Sequence, residues 1–374
     1  MNKPLSAPQT PPLGSRAVPL RIGVIGLGAV GQLHFAAYRH LERGKVVAIS
    51  DPAPSAADRA RANPEVNFYP DVSEMLAREQ LDIACVLTPP ASHESLTAAC
   101  AEHRVHVLCE KPLALTIDSA ARMLEKADKC GIRLFYGSSY RFLPAVIAAR
   151  DLILSGAIGD VLIIREQSIG GQGLDKAVPM SAHHYPAGFP GGFAMGLVDH
   201  GIHLIDVFPW LMNSSATRAS GRGNLSGNAM NTEHLTIEYA NGAIGHLLYS
   251  ECTYATDLPT EGQFTQGDGW DFTGFVRAGG WSNSPGCIHV YGTAGSLRIF
   301  HYANSLFHFN GDGVRQIQLA GQPSPGHFTA QMDCFISDIL LDRPASTPAK
   351  AGVDALSTLY AAYPQGRETS IPRG

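Results

Sequence analysis

The sequence predicts an α/β domain followed by an α+β domain: a doubly wound parallel sheet over residues 21–141, then a large open, mainly antiparallel sheet within residues 142–374. Three observations predict this. A glycine-rich turn, Gly26-Leu27-Gly28-Ala29-Val30-Gly31, joins an apolar run to a helical pattern. Short apolar runs and helical patterns then alternate, which is the rhythm of a parallel sheet with crossover helices. Beyond this the rhythm becomes strand–turn–strand, with Asn241-Gly242 as a two-residue hairpin signal.

The length of 374 residues exceeds what one hydrophobic core serves, so two domains are expected. Residues 1–20 contain Pro4, Pro8, Pro11, Pro12 and Pro19 and read as a disordered tail, with no apolar run long enough for a signal peptide and no twin arginine. No later stretch approaches the roughly 20 apolar residues of a membrane span. A net charge of -5 provides no basic face for nucleic acid or an anionic membrane. The seven cysteines are scattered, odd in number and never paired as CxxC, which fits a reducing cytoplasm and small core residues.

Residues 21–25 form the first strand, and a helix is expected from Gln32 to Leu41. The GxGxxG pattern therefore sits in the strand–turn–helix context that dinucleotide binding requires. Gly26 permits the tight turn, Gly28 the approach of a pyrophosphate, and Gly31 close helix–strand packing. Ala29 and Val30 would offer backbone N–H groups at the positive end of the helix. KVVAIS at 45–50 is the second strand, and Asp51 ends it. An acid there accepts from both ribose hydroxyls and repels a 2′-phosphate, so NAD is favoured, with NADP possible; Asp51 before Pro52 also reads as an ordinary turn residue. DIACVL at 82–87 is a buried strand, Ser92 a cap for a helix to about His103, and 105–109 another strand. Thr116 caps a helix closed by Cys130-Gly131, and 132–136 is one further strand.

In the second half, Pro144 opens a helix that Ser155-Gly156 closes, and 161–169 alternates as a strand. Strands at 232–239 and 243–252 flank Asn241-Gly242; strands at 287–291 and 296–300 flank Gly292-Thr293-Ala294-Gly295. Helices are expected at 327–341 and 353–363. One face of such a sheet is available to a partner subunit, so a homodimer or homotetramer through the C-terminal sheet is expected. Two long loops remain, 170–192 with His183, His184 and Tyr185, and 254–286 with Phe264, Trp270, Phe272, Phe275 and Trp281. Aromatic faces beside amide and carboxyl groups suit a sugar; a loop with a small core of its own has the same composition.

Two runs carry the chemistry. Glu110-Lys111-Pro112 follows the strand at 105–109, and ligands of open α/β sheets bind outside carboxyl strand ends. The peptide before Pro112 is a candidate for the cis form. In the second run, Asp199, His203 and Asp206 lie at i, i+4 and i+7 and share one face if the segment is helical. A histidine between two carboxylates has a fixed tautomer and a stabilised charged form, as a proton acceptor needs; a helix whose His and Asp merely satisfy each other has the same spacing. Metal binding by His183-His184 with Asp199 or His203 is set aside, because adjacent histidines point apart and no HxxxH accompanies them.

GLGAVG, TPPASH at 88–93, EKP at 110–112, Asp199-x-Gly201-x-His203 and the late GTAGSL at 292–297 occur in this order. The chain resembles the Gfo/Idh/MocA oxidoreductases over roughly residues 20–370. Departures are Thr88-Pro89-Pro90 in place of Thr-Pro-Asn, and Gly191-Gly192-Phe193 in place of three glycines. The resemblance implies an NAD(P)-dependent dehydrogenase of a sugar, sugar derivative or cyclitol, with Lys111, Asp199 and His203 as the catalytic trio. Gly26, Gly28, Ala29, Val30, Gly31, Asp51, Thr88, Pro89, Pro90, His93, Glu110 and Lys111 would hold the cofactor. Lys111, Arg141, Asp199 and His203 would face the substrate. Either His203 or Lys111 would take the hydroxyl proton. Some relatives instead oxidise a sugar transiently, eliminate a glycosidic group and reduce the product again; cofactor that co-purifies and is never consumed would mark that chemistry. A non-catalytic NAD-binding regulator would tend to lose the lysine or the histidine, and both are present.

Overall fold

The computed structural model describes residues 19–61, 63–169, 196–223, 232–250, 287–301, 304–321 and 325–363. The expected tail up to residue 18, both long loops with His183, His184 and Gly191-Gly192-Phe193, and Cys252 lie outside the described residues.

The first half forms β1 (Leu20–Ile25), α1 (Ala29–Tyr38), β2 (Gly44–Ser50), α2 (Pro54–Arg61), β3 (Asn67–Tyr69), α3 (Val72–Arg78), β4 (Ile83–Val86), α4 (His93–Glu102), β5 (His106–Glu110), α5 (Ile117–Cys130) and β6 (Leu134–Gly137). The six strands are parallel in the order β3-β2-β1-β4-β5-β6, so the winding reverses between β1 and β4. The carboxyl ends of those two strands open the crevice where such sheets bind ligands. β4 and β5 are buried at every residue, which explains the unbroken apolar run of β4 and the apolar centre, Val107 to Cys109, of β5. α5 begins with the Thr116 hydroxyl accepting from Ser119 N and ends at Gly131 with φ 65°.

Two expectations shift. α1 starts at Ala29 rather than Gln32, which brings Ala29, Val30 and Gly31 into its first turn. Ser92 does not cap α4; a 3-10 turn spans Pro90–Ser92, and the Ser92 hydroxyl bonds Thr88 Oγ1 at 2.7 Å. Ser92 itself has φ -99° and ψ -6°, helical and not the extended backbone a cap needs.

The second half contributes α6 (Pro144–Leu154), β7 (Val161–Ile169), α7 (Ile202–Met212), β8 (Ala216–Arg222), β9 (Thr232–Tyr239), β10 (Ile244–Ser250), β11 (Cys287–Gly292), β12 (Ser296–Phe300), β13 (Ser305–Asn310) and β14 (Gly313–Gln316). The sheet order is β14-β13-β12-β11-β7-β10-β9-β8. Every pairing is antiparallel except β7 with β10. Gly242 takes φ 86° in the β9–β10 turn, a conformation glycine adopts without strain. Alternation buries Leu235, Ile237 and Leu247 while Ile163 and Ile244, cross-strand partners, stay exposed on the other face.

The chain ends with α8 (Gly326–Leu340) and α9 (Ala349–Leu359). α8 returns to the first sheet: Phe328, Met332, Phe335, Ile336 and Ile339 share a core with Leu20, Ile22, Val24 and Ile49. Phe335 packs on Phe135 with ring centroids 3.7 Å apart, and Arg43 donates to Asp333 O at 3.0 Å and Ser337 Oγ at 2.8 Å. Residues 326–340, read from sequence as part of the second unit, thus complete the core of the first. No helix among the described residues is long and apolar enough to cross a membrane.

His327 at the start of α8 is 5% exposed, with its ring 4.0 Å from that of Phe328, and burial pushes its pKa down to about 3. The unfolded chain binds a proton there below about pH 6.5, whereas the folded chain does not until about pH 3, so stability falls as pH drops through that window. His327→Gln, which cannot titrate, should remove about 1.4 kcal/mol per pH unit from that slope, read from urea midpoints between pH 6 and 4. An unchanged slope would refute the assignment.

Candidate active site

The glycine turn has three separate steric roles. Gly26 has φ 94°, and a Cβ there would lie 2.8 Å from Leu87 O. A Cβ on Gly31 would lie 2.2 Å from Gly26 O, so the helix can approach the turn only without one. A Cβ on Gly28 would meet nothing within 4 Å, because that residue faces open space. No side chain caps α1, and its first N–H groups are directed outward past the exposed Gly28 and Ala29, with Val30 half-buried behind them. An uncapped, dipole-positive helix end beside open space is a cradle for a pyrophosphate. Asp51 holds the turn from β2: one carboxylate oxygen accepts from Leu27 N at 2.7 Å, the other from Ala53 N at 2.8 Å. Arg59, which sequence reasoning passed over, donates to Leu27 O at 3.1 Å and is the cation nearest this turn's rim in the hydrogen-bond network.

Across the crevice, the segment after β4 divides into surface and support. Thr88 is half-buried and Pro89 exposed, while Pro90 and His93 are buried. His93 Nε2 is 2.8 Å from Thr88 O and its Nδ1 is 3.0 Å from Pro112 O. With both nitrogens directed at carbonyls in a fully buried ring, His93 braces the Thr88 turn against the turn after β5 and presents no nitrogen to a cofactor. Burial lowers its pKa, and the surrounding carbonyls oppose that in part.

Glu110 also turns inward. It is 6% exposed, with Oε1 3.1 Å from His34 Nε2 and Oε2 accepting from Lys111 N at 2.9 Å. Burial pushes its pKa up, but the hydrogen bond and charge of His34 and the charge of Lys111 outweigh that and leave it lowered. The expected cofactor ligand is therefore an ionised strut beneath the site. It fixes the backbone from which Lys111 projects, and the Lys111–Pro112 peptide is cis.

Lys111 reaches across to the second half: Nζ donates to Asp199 O at 2.9 Å and to Asp199 Oδ1 at 3.1 Å. Asp199 lies in a π turn, Leu197–Gly201, which runs into α7. The extra residue of this turn spoils the regular stripe expected of Asp199, His203 and Asp206. Asp206 is buried and binds elsewhere: Arg141 Nε donates to Oδ2 at 2.8 Å, Nη2 donates to Oδ1 at 2.5 Å, and the Ser138 hydroxyl donates to Oδ2 as well. Two readings change accordingly. Arg141 is forked onto Asp206 and its guanidinium is not left for a substrate. His203 is not flanked by two carboxylates, and its charged form is not stabilised: burial, then the charges of Lys111, His200, His301 and His327, drive its pKa well below the ordinary value. Its ring stacks on Tyr140 at 4.0 Å and 5°, and Nδ1 has no hydrogen-bond partner among the described residues.

Sequence reasoning missed the groups behind His203. Glu166 on β7 is buried in phase with Ile164; its Oε2 accepts from the Tyr249 hydroxyl at 2.9 Å and lies 3.3 Å from His200 Nε2. A glutamate in the inward phase of an apolar strand was the available signal.

Two predictions follow from these contacts. Gly31→Ala should lower the melting temperature of the cofactor-free protein, whereas Gly28→Ala should leave it unchanged and weaken NAD binding in a titration; equal effects on both would contradict the division of roles. Asp206→Ala leaves a buried guanidinium unpaired and should cost about 3–5 kcal/mol in urea unfolding, with Arg141→Met added to it recovering much of the loss.

Residues 20–138 match the model of the oxidoreductase family with an NAD-binding Rossmann fold, and residues 146–298 match the GFO/IDH/MocA C-terminal domain. Inositol 2-dehydrogenase 4 of Saccharopolyspora erythraea is 29% identical over 235 residues, covering 60% of this chain and 65% of its own. Myo-inositol 2-dehydrogenase of Thermotoga maritima is 28% identical over 237 residues, covering 60% of this chain and 67% of its own. The matched curated relatives named above are covered over about two thirds of their length. The aldose-aldose oxidoreductase of Caulobacter crescentus, solved with glycerol, superposes with a TM-score of 0.73 at 20% identity over 93% of this chain and 98% of its own, a likeness of fold. A nucleotide crevice on the first sheet, with Lys111 at the end of β5 meeting Asp199 beside His203 of the second half, and family matches across both halves place this chain in the GFO/IDH/MocA oxidoreductase family.

Proposed function

We propose that the protein transfers hydride between a secondary alcohol of a sugar, sugar derivative or cyclitol and a nicotinamide. The observation that carries this reading is the meeting of Lys111 with Asp199, beside His203, at the carboxyl end of β5. Bound NAD would supply the hydride acceptor. Gly28 and the first turn of α1 would hold its pyrophosphate and Asp51 its ribose, while Thr88 and Pro89 border its far end. NAD rather than NADP is favoured by the Asp51 carboxylate; Arg59 beside it is the group that would receive a 2′-phosphate.

His203 is the better candidate for the base. Its imidazole is neutral at pH 7 and can accept the hydroxyl proton as hydride leaves carbon. Lys111, charged and oriented by Asp199, donates to the same oxygen and offsets the alkoxide charge that develops on it. Asp199, whose side chain is 55% exposed, has room to accept from a neighbouring substrate hydroxyl. Inositol dehydrogenases among the curated relatives support cyclitols as the first substrates to try. The exposed face carrying Ile163 and Ile244 supports a homodimer or homotetramer through the second sheet, and unpaired cysteines such as Cys85, Cys100 and Cys109 support a cytoplasmic setting.

The test is a screen of the pure protein with NAD and NADP against inositols, aldoses and amino sugars, following absorbance of the reduced cofactor. Lys111→Ala and His203→Ala should each reduce turnover of the substrate found by about 100- to 10,000-fold while NAD affinity stays within a few-fold. Turnover surviving in both variants would defeat the assignment.

A further inference from the structure

The buried polar groups behind His203 form a second constellation that hydride transfer does not use. Glu166 comes from β7, His200 from the π turn next to Asp199, and His301 from the residue after β12. Glu166 is 1% exposed and His301 0%, while the His200 side chain is 15% exposed. Glu166 Oε2 lies 3.3 Å from His200 Nε2, Oε1 lies 3.8 Å from His301 Nε2, and one ligand atom from each of the three residues lies within 4.8 Å of the others.

We propose that Glu166, His200 and His301 bind one divalent transition-metal ion, with Zn²⁺ the expected occupant. The distances argue for it. Direct charge-assisted hydrogen bonds would draw these atoms to about 2.7–2.9 Å. Ligands held at about 2.0–2.1 Å on a tetrahedron instead stand roughly 3.3 Å apart. The 3.3 Å separation matches that edge, and the wider ones close by side-chain rotation. Two imidazoles and one carboxylate are the donor set of three-ligand zinc sites that keep an open fourth position. Mg²⁺ and Ca²⁺ are disfavoured, because both want mainly oxygen ligands.

The surroundings fit as well. A buried carboxylate is costly unless a cation offsets it. The Tyr249 hydroxyl donates to Glu166 Oε2 at 2.9 Å, and His200 Nδ1 lies 3.3 Å from the Tyr140 hydroxyl, as outer partners of metal ligands do. The partly exposed edge of His200 gives the ion a route in. Tyr140 also stacks on His203, so the ion ties β7, the π turn and the end of β12 to the tyrosine ring that lies against that imidazole. Its role is positioning, and its binding does not depend on the hydride-transfer reading.

The experiment measures metal and not turnover. Full-length, tag-free protein is stripped with chelator and dialysed against Zn²⁺ alone. Roughly one Zn²⁺ per chain should bind, with a rise in melting temperature. Glu166→Gln with His301→Ala should abolish binding while the far-UV circular dichroism is kept, and Tyr249→Phe should weaken it by about 10-fold. Folded wild-type protein without bound Zn²⁺, or stoichiometric binding to the folded double variant, would overturn the site. Should the double variant not fold, X-ray absorption of the Zn²⁺-loaded wild type decides: two imidazoles with oxygen ligands support the site, and any shell without two imidazoles rejects it.

Discussion

Lys111 is held at both ends, and the candidate site depends on that double restraint. Its backbone N–H is fixed by the buried Glu110 carboxylate, and its ammonium is fixed by Asp199, 88 residues further along the chain. A lysine side chain otherwise keeps some 2 kcal/mol of rotamer entropy. Here the strand end sets where the side chain starts, and the other half of the molecule sets where it stops. The contact is also one of the polar links between the nucleotide crevice and the segment leading into α7, so the placement of α7 translates directly into the position of the ammonium.

Below this contact, the site is supported by carboxylates to which sequence reasoning gave other partners, a cofactor for Glu110 and His203 for Asp206. Glu110 supports β5 through His34, and Asp206 anchors α7 to the turn after β6 through Arg141. Both are nearly inaccessible, and both have their oxygens filled by protein donors. A buried charge survives only if paired, so each fixes the relative position of two elements more stringently than apolar contact does. The polar residues of a catalytic motif thus divide into those that touch a ligand and those that keep the first group in place. Spacing alone does not separate the two.

That division explains what was legible in the sequence. The glycine turn, the buried strands and the Asn241-Gly242 hairpin were readable because each depends on local chemistry: a φ value, an unbroken apolar run, a two-residue turn. The small elements α2, β3 and α3 and the edge strands β8 and β14 were not read, since short polar segments gain their structure from neighbours; the inner strand β13 was missed with them. The regular helix expected through Asp199 failed because a π turn leaves no mark in a pattern of apolar residues. The return of α8 to the first sheet was equally hidden, since an apolar stripe states that a helix is buried and not against what. Glu166, His200 and His301 could not be grouped in advance either. They come from three separate elements and meet only through the order of strands in the sheet.

The protonation of His203 completes the physical picture. A histidine flanked by carboxylates would be charged at neutral pH and would need to lose its proton before it could accept one. The fold does the opposite: burial and the neighbouring ammonium keep the imidazole neutral, while the ammonium itself is held by Asp199. The ring is thus held neutral beside an ammonium that Asp199 fixes in place. The positive charge of Lys111 disfavours a second positive charge on His203, so a proton taken by the ring is readily passed on. One electrostatic arrangement therefore keeps the imidazole neutral and disfavours a lasting charge on it.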